Sequence, residues 1–357
     1  MLACMTGDSR NVPDALVTAF AQESSWEKDM LGDGFTQMTI PLSADPDGEG
    51  DLIATLVRYL PEGLSPEDYY ERPALLYVHG LSDYFFQKHE ATFFTTRGYA
   101  FYALDLRKCG RSHRPGQSWH YVSDLAYHFE ELSIAATLIA SKHDVLVPMG
   151  HSTGGLILPL WLNHLRNTAT DDNPLTTTIA GLILNSPWLD MQYNPVVVAG
   201  AKVLGGIMSR VNPKSEVKGG NLSAYGESLS KNYHGEWDFN EEMKPVHGHP
   251  VYWGFLNTVM HYQNLIHEGK IQCDVPILAL SSTKSWLNKP YSAATDTADA
   301  VIDVEHVATW APKLGSAVDL RAIESARHDV FLSLPTPRKQ AFEVTAEWLT
   351  TIAPVSH

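Results

Sequence analysis

Cysteine is scarce in this chain of 357 residues. The three present, Cys4, Cys109 and Cys273, are odd in number and far apart. That excludes a disulfide framework and a paired-cysteine zinc site, and it suits a reducing cytoplasm, the expected location. Positive charge is the second shortage: 26 Lys plus Arg against 41 Asp plus Glu give a formal net charge of −15. Such a chain has no broad basic face, so neither nucleic acid nor an anionic lipid surface is an expected electrostatic partner. No run of 18 apolar residues occurs, so no membrane-spanning helix is expected, and the first residues lack the basic-then-apolar pattern of a secretory signal. Repeats and low-complexity segments are also missing. Core-forming residues are plentiful: 44% of the chain is hydrophobic, with 9 Trp, 15 Tyr and 12 Phe, enough for one large domain or two ordinary ones.

Residues 1–34 are polar and weakly patterned and are expected to lie across the surface. Phe35–Leu42 and Leu52–Tyr59, separated by the turn-rich ADPDGEGD, read as a β-hairpin. From Ala74 short apolar runs alternate with helical stretches. LLYVHG, Tyr99–Asp105, Asp144–Gly150, IAGLILNSP, Val275–Leu280 and Ala317–Ile323 read as strands. Helices are expected over about Gln87–Arg97, Ser118–Lys142, from just after Ser152, about Val304–Leu314 and Pro337–Ile352. This alternation implies an α/β fold with a mostly parallel central sheet and helices on both faces. It lapses over 188–270, where a single apolar helix is evident. That segment reads as a cap inserted between two strands of a core formed by 1–187 and 271–357, over the crevice at the carboxyl ends of the strands.

Gly150-His151-Ser152-Thr153-Gly154 matches G-x-S-x-G and lies between an apolar strand and a helix. In that context a sharp turn exposes the Ser152 hydroxyl, and the Thr153 amide at the helix N-terminus is placed to stabilise developing negative charge. A nucleophilic serine needs a base, and His328 follows the last strand in SARHDVFLS. The acid belongs after the strand before, where Asp296, Asp299 and Asp303 are available; Asp299 is favoured, the others reading equally as helix caps. His79-Gly80-Leu81 follows the first buried strand, making Leu81 the candidate second amide of an oxyanion hole. Asp105 and Arg107 read as structural, tying loops together beneath the site.

These elements together resemble the α/β-hydrolase superfamily, and within it the monoglyceride lipase and lysophospholipase-like group with its cinnamoyl esterases and serine aminopeptidase relatives. The resemblance rests on HG at 79–80, Asp105-Leu106-Arg107 with Gly110-Arg111-Ser112, GHSTGG at 150–155, NSP at 185–187, D-A-V-I-D at 299–303 and His328. It implies Ser152 as nucleophile, Asp299 as acid, His328 as base, and Leu81 and Thr153 as oxyanion donors. Two departures stand out. Residues 283–298 lengthen the path from strand to acid, and Leu81-Ser82-Asp83-Tyr84 replaces the group's usual x-G-Glu-His.

In the cap, Asn194–Val211 is apolar almost all round. Two readings stand for it: a helix buried against the cleft, or a point of transient lipid contact, with Gly200, Gly205 and Gly206 suiting a mobile element. Trp188, Trp237, Trp253 and Trp286, with His79, Gly80 and His151, are candidate substrate contacts. Glu216, Glu227, Glu236, Asp238, Glu241 and Glu242 would suit an aminopeptidase holding an α-amino group. His247, His249 and His261 lack metal-site spacing, so neither metal nor cofactor is expected. The expected activity is hydrolysis of a small-molecule ester: monoacylglycerols or short- to medium-chain acyl esters, then cinnamoyl or feruloyl esters, then peptide N-termini. A catalytically inactive ligand-binding scaffold is the alternative outside enzymes. No oligomeric state is encoded in any feature.

Overall fold

The computed structural model describes residues 12–168, 173–218 and 222–355; Cys4 lies outside them. Among the described residues nine strands form one open sheet: β1 (Glu27–Lys28), β2 (Phe35–Pro41), β3 (Ile53–Tyr59), β4 (Ala74–Val78), β5 (Ala100–Asp105), β6 (Leu146–His151), β7 (Leu182–Asn185), β8 (Ile277–Ser282) and β9 (Val318–Ile323). Their order is β1-β2-β3-β5-β4-β6-β7-β8-β9. The expected hairpin is β2–β3, with Phe35 opposite Tyr59, and β3 runs antiparallel to β5. From β5 through β9 every pairing is parallel. This is the α/β architecture expected. The helices are α1 (Asp14–Phe20), α2 (Pro66–Tyr70), α3 (Lys88–Thr95), α4 (Phe129–Ala140), α5 (Gly154–Thr168), α6 (Leu175–Thr178), α7 (Pro195–Val211), α8 (Ser223–Leu229), α9 (Trp253–His267), α10 (Val304–Trp310) and α11 (Pro335–Ile352).

Both faces of the central strands are covered, which is why those strands read as continuous apolar runs. Along β4, Ala74, Leu76 and Val78 point into a core shared with Leu132 of α4 and Leu158 of α5. Leu75 and Tyr77 point the other way, into a core shared with Phe94 of α3 and Phe342 of α11. The strand order turns back at β4, and the loops after β4 and β6 open at the crevice this creates.

Three expectations need correction. The stretch Ser118–Lys142 is not one helix: Asp124 accepts from the Ala126 amide and starts a short 3-10 turn that leads into α4. Residues before it are held by the β2–β3 turn, Ser118 donating to Glu49 and the Ser123 amide to Asp47. The segment 12–34 does not simply cross the surface. Phe20 and Trp26 are buried in the main core, and Asp29 pairs with Arg111. Finally, 188–270 holds a second long helix, α9. Its buried face includes Thr258 and Gln263, which breaks the apolar periodicity a sequence reading looks for; Gln263 is satisfied by donating to the Trp188 carbonyl.

Asp105 and Arg107 do not pair with each other. Asp105 accepts from the amides of Phe85 and Arg111 and from the Arg111 guanidinium. Arg107 grips Glu131 at 2.5 Å, with both side chains almost wholly buried. Burial alone would raise the Glu131 carboxyl, but Arg107 and His128 outweigh it and hold it down at about 2 against an ordinary 4.5. The folded value being the lower, the stabilisation from this group is complete above pH 4.5 and is lost as pH falls toward 2. Arg107→Met leaves the buried carboxylate with His128 in place of a permanent positive charge, so an unfolding free energy about 3–5 kcal/mol lower is expected in chemical denaturation at pH 7; a loss under about 1 kcal/mol would refute this account of the pair.

Candidate active site

Ser152 sits between β6 and α5 with φ 52°, a left-handed conformation in which a non-glycine residue is strained. The turn is possible because its flanks have no side chains. A Cβ on Gly150 would come 2.6 Å from the Gly154 backbone, and one on Gly154 would strike the Val78 carbonyl of β4. Gly80 gives the same closeness from the other side, since a Cβ there would stand 3.0 Å from the Ser152 Cβ.

Ser152 Oγ lies 2.9 Å from His328 Nε2, and His328 Nδ1 lies 2.8 Å from Asp299 Oδ2. All three residues are buried. The other carboxylate oxygen of Asp299 accepts from the amides of Val301 and Ile302, at 2.8 and 2.9 Å, which fixes the plane of the group. The lengthened path to Asp299 has a plain geometry. Ser285, three residues beyond β8, forms an isolated bridge with Asp299, so 286–298 is an excursion that returns to where it left. The two other acids are spent elsewhere: Asp296 pairs with Arg327 at 2.7 Å, and Asp303 caps α10 through the Glu305 amide.

Ser152 and His328 border a cavity of about 340 Å³. Leu81, Thr153 and His151 line it with Ser152 and His328. So do Trp188, Trp253 and the aliphatic wall of Val197, Ala201, Val217, Val251 and Leu256 from the inserted segment. The four tryptophans are therefore not one cluster. Trp237 donates to the Leu332 carbonyl and stacks on His89, and Trp286 lies under Lys289 with its amide bound to Asp299; neither lines the cavity. His79 is also behind the wall, its Nδ1 on the Gly80 carbonyl and its Nε2 accepting from the Leu106 amide, which braces the loop carrying Leu81. Burial depresses His151 to about 4, so it is neutral near pH 7.

Several participants have no local motif. Asn185, the last residue of β7, accepts the Ser152 amide on its carbonyl and donates its side chain to Asp329 at 2.7 Å, joining the serine turn to the histidine loop. Tyr225 of α8 sets its ring perpendicular to His328, centroids 5.4 Å apart. Asp83 meets Lys244 at 2.8 Å in the cavity wall, and Ser82 accepts the His249 amide. Only the position of NSP at a strand end, and the unusual Ser82-Asp83, marked any of these in the sequence. Among the described residues one group, His79, Cys109 and His120, gathers potential metal ligands. Both His79 nitrogens are already engaged in the bonds just described, so the set does not fit an ion without breaking them.

Residues 71–333 match the family described as serine aminopeptidase, S33. No curated protein matches the chain by sequence. Among solved structures, similar ones include a soluble variant of monoglyceride lipase from Saccharomyces cerevisiae bound to a substrate analogue: TM-score 0.61, 15% identity, covering 92% of this chain and 94% of that one. A thermostable carboxyl esterase from Bacillus coagulans, in complex with glycerol, gives 0.59 at 14% identity over 88% and 98%. A monoacylglycerol lipase from Paleococcus ferrophilus gives 0.55 at 18% over 79% and 97%. At these identities the likeness speaks for the fold. With the family matched from 71 to 333, across most of its length, the chain belongs to the serine aminopeptidase S33 family of α/β-hydrolases.

Proposed function

We propose that the protein is a serine carboxylic-ester hydrolase for uncharged esters, monoacylglycerols and short- to medium-chain acyl esters first. The hydrogen-bonded series Ser152–His328–Asp299 beside a largely apolar cavity carries this reading. His328 takes the Ser152 proton as Oγ attacks the ester carbonyl. The amides of Leu81 and Thr153 hold the oxyanion, His328 returns the proton to the leaving alcohol, and water cleaves the acyl-enzyme by the same steps.

Two observations order the substrate classes. The aliphatic wall outweighs the aromatic one: Trp188, Tyr193, Tyr225 and Trp253 face a larger set of aliphatic residues, Val197, Val217, Val251, Leu256 and Leu287 among them; this favours acyl over hydroxycinnamoyl esters. None of Glu216, Glu227, Glu236, Asp238, Glu241 and Glu242 lines it either, and the lining carboxylate, Asp83, is neutralised by Lys244. An α-ammonium group would find no free counter-charge there, so aminopeptidase activity ranks last.

The inserted segment acts in this reading as a cap. Its α7 is not buried: Val196, Val203, Ile207 and Val211 are each more than half exposed, while Val197 and Ala201 reach the cavity. Isolated exposed apolar residues are ordinary, but a row of them on one helix bordering the cavity suits transient contact with a lipid surface. No helix among the described residues is long and apolar enough to cross a membrane.

A panel of p-nitrophenyl esters, a monoacylglycerol, methyl ferulate and an aminoacyl anilide tests the reading. Monoacylglycerol or acyl esters are expected to give the highest kcat/KM. Preference for the anilide would reverse the ranking. Silence across the panel, with no labelling of Ser152 by a fluorophosphonate, would favour the inactive scaffold instead.

A further inference from the structure

We propose that Ser82, Asp83 and Tyr84 are positioning residues: they couple the loop that carries Leu81 to the inserted segment, so that the seating of that segment sets the place of the Leu81 amide. This rests on the reading of Ser152 as nucleophile and of the Leu81 amide as an oxyanion donor. Three consecutive side chains carry the inference. Ser82 Oγ accepts the His249 amide at 2.8 Å, Asp83 Oδ1 meets Lys244 Nζ at 2.8 Å, and the Tyr84 hydroxyl accepts the Asn240 amide at 2.8 Å. All three residues are buried, and Lys244 with them. They are also the positions at which this chain departs from the x-G-Glu-His usual in the monoglyceride lipase-like group.

The sheet side holds the loop at its two ends. The Gly80 carbonyl bonds to His79, and Phe85 donates its amide to Asp105 and accepts Arg111 on its carbonyl. Between those ends, the side chains of 82–84 reach to the inserted segment. Their partners there are firm. The Lys244 amide bonds to the Asn240 carbonyl, which makes two of the three partners parts of one turn, and the His249 ring stacks on Trp119 with centroids 4.5 Å apart.

Backbone strain marks the same place. Ser82 stands at φ 54°, a left-handed conformation that is costly for a residue with a side chain. Glycine would sit there without that cost. What serine adds is the hydroxyl that holds the His249 amide. Leu81 lies between this strained residue and Gly80, and consecutive Cα atoms are held about 3.8 Å apart, so a shift at Ser82 is passed to its neighbour. An oxyanion donor works only within about 2.7–3.1 Å of the developing charge, and a misplacement of about 1 Å can cost about 100-fold. Loosening these ties therefore acts on the transition state more than on bound substrate.

Ser82→Gly removes one tie and relieves the backbone. On a p-nitrophenyl acyl ester it is expected to lower kcat about tenfold with KM within about threefold, while the thermal unfolding midpoint stays level or rises. Tyr84→Phe, which loses only the acceptor for the Asn240 amide, should lower kcat about three- to tenfold. A trifluoromethyl ketone, which on addition of Ser152 Oγ places an oxyanion in the same site, should lose affinity for each variant by about the factor lost in kcat. A packing role alone would lower the unfolding midpoint or raise KM and leave ketone affinity unmoved. The coupling is overturned if both variants keep kcat and ketone affinity within twofold, or if the loss falls on KM alone. With Ser152→Ala inactive, those outcomes remove the coupling and leave the nucleophile standing. If Ser152→Ala retains turnover, the nucleophile is misassigned and the inference falls with it.

Discussion

Ser152→Ala is expected to lower kcat on a p-nitrophenyl acyl ester about 10⁵- to 10⁶-fold, the scale seen when the nucleophile of a triad is removed. The loss is large because the variant forfeits covalent catalysis altogether. His328 would have no oxygen to deprotonate at 2.9 Å, and the carbonyl would face only water. It should stop short of the uncatalysed rate, since the oxyanion donors and the cavity still bind and polarise the ester; about 10³- to 10⁴-fold over water is the usual residue of such sites. Ala at this strained turn removes one hydroxyl and no packing, so the unfolding midpoint should move little. A variant retaining more than about 1% of wild-type kcat, after active-site titration excludes contamination, would defeat the assignment of Ser152.

Asp299→Asn should cost about 10⁴-fold in kcat, while Asp296→Asn and Asp303→Asn should cost less than about tenfold. The reason lies in the proton of His328. Asp299 Oδ2 accepts at Nδ1, which leaves Nε2 free to accept the Ser152 proton, and its negative charge stabilises the imidazolium that results. An amide at 299 can turn its NH₂ toward Nδ1 and reverse the tautomer, because its oxygen would keep the bonds from Val301 and Ile302. Asp296 acts instead on Arg327, and Asp303 on the first turn of α10, a cap worth about 1 kcal/mol of stability. Steady-state kinetics on the three variants decides the matter: a larger loss at 296 or 303 than at 299 would overturn the choice of acid.

What the sequence disclosed depended on whether the information was local. G-x-S-x-G needs a strand, a turn and a helix in one stretch of chain, and the backbone geometry that demands glycine at 150 and 154 is written into those few positions. The parallel sheet was legible for a similar reason, since strands covered on both faces are apolar at every position. Elements whose pattern is completed by distant partners were not. The polar residues on the buried face of α9 make sense only once Gln263 meets the Trp188 carbonyl. Phe20 and Trp26 look isolated until their segment is folded onto the core. Four tryptophans read alike as candidate substrate contacts, but two of them pack against His89 and Lys289. Asn185 is another such case: NSP at a strand end marks the residue, but its link between two loops more than a hundred positions apart shows only in the fold.

The bridge between Ser285 and Asp299 has a bearing on how such a chain can change over time. The carboxylate is located by a pairing and two amides, not by its distance along the chain from β8. Insertions and deletions at the exposed stretch of the 286–298 loop, 288–290, therefore carry only the small entropic charge of a longer or shorter surface loop, which grows slowly with length. Descendants could lengthen, trim or recruit that loop for new contacts at the rim while the acid stayed where it is. The offset between β8 and residue 299 is thus free to drift, and an alignment that enforces constant spacing there would lose the register of this carboxylate.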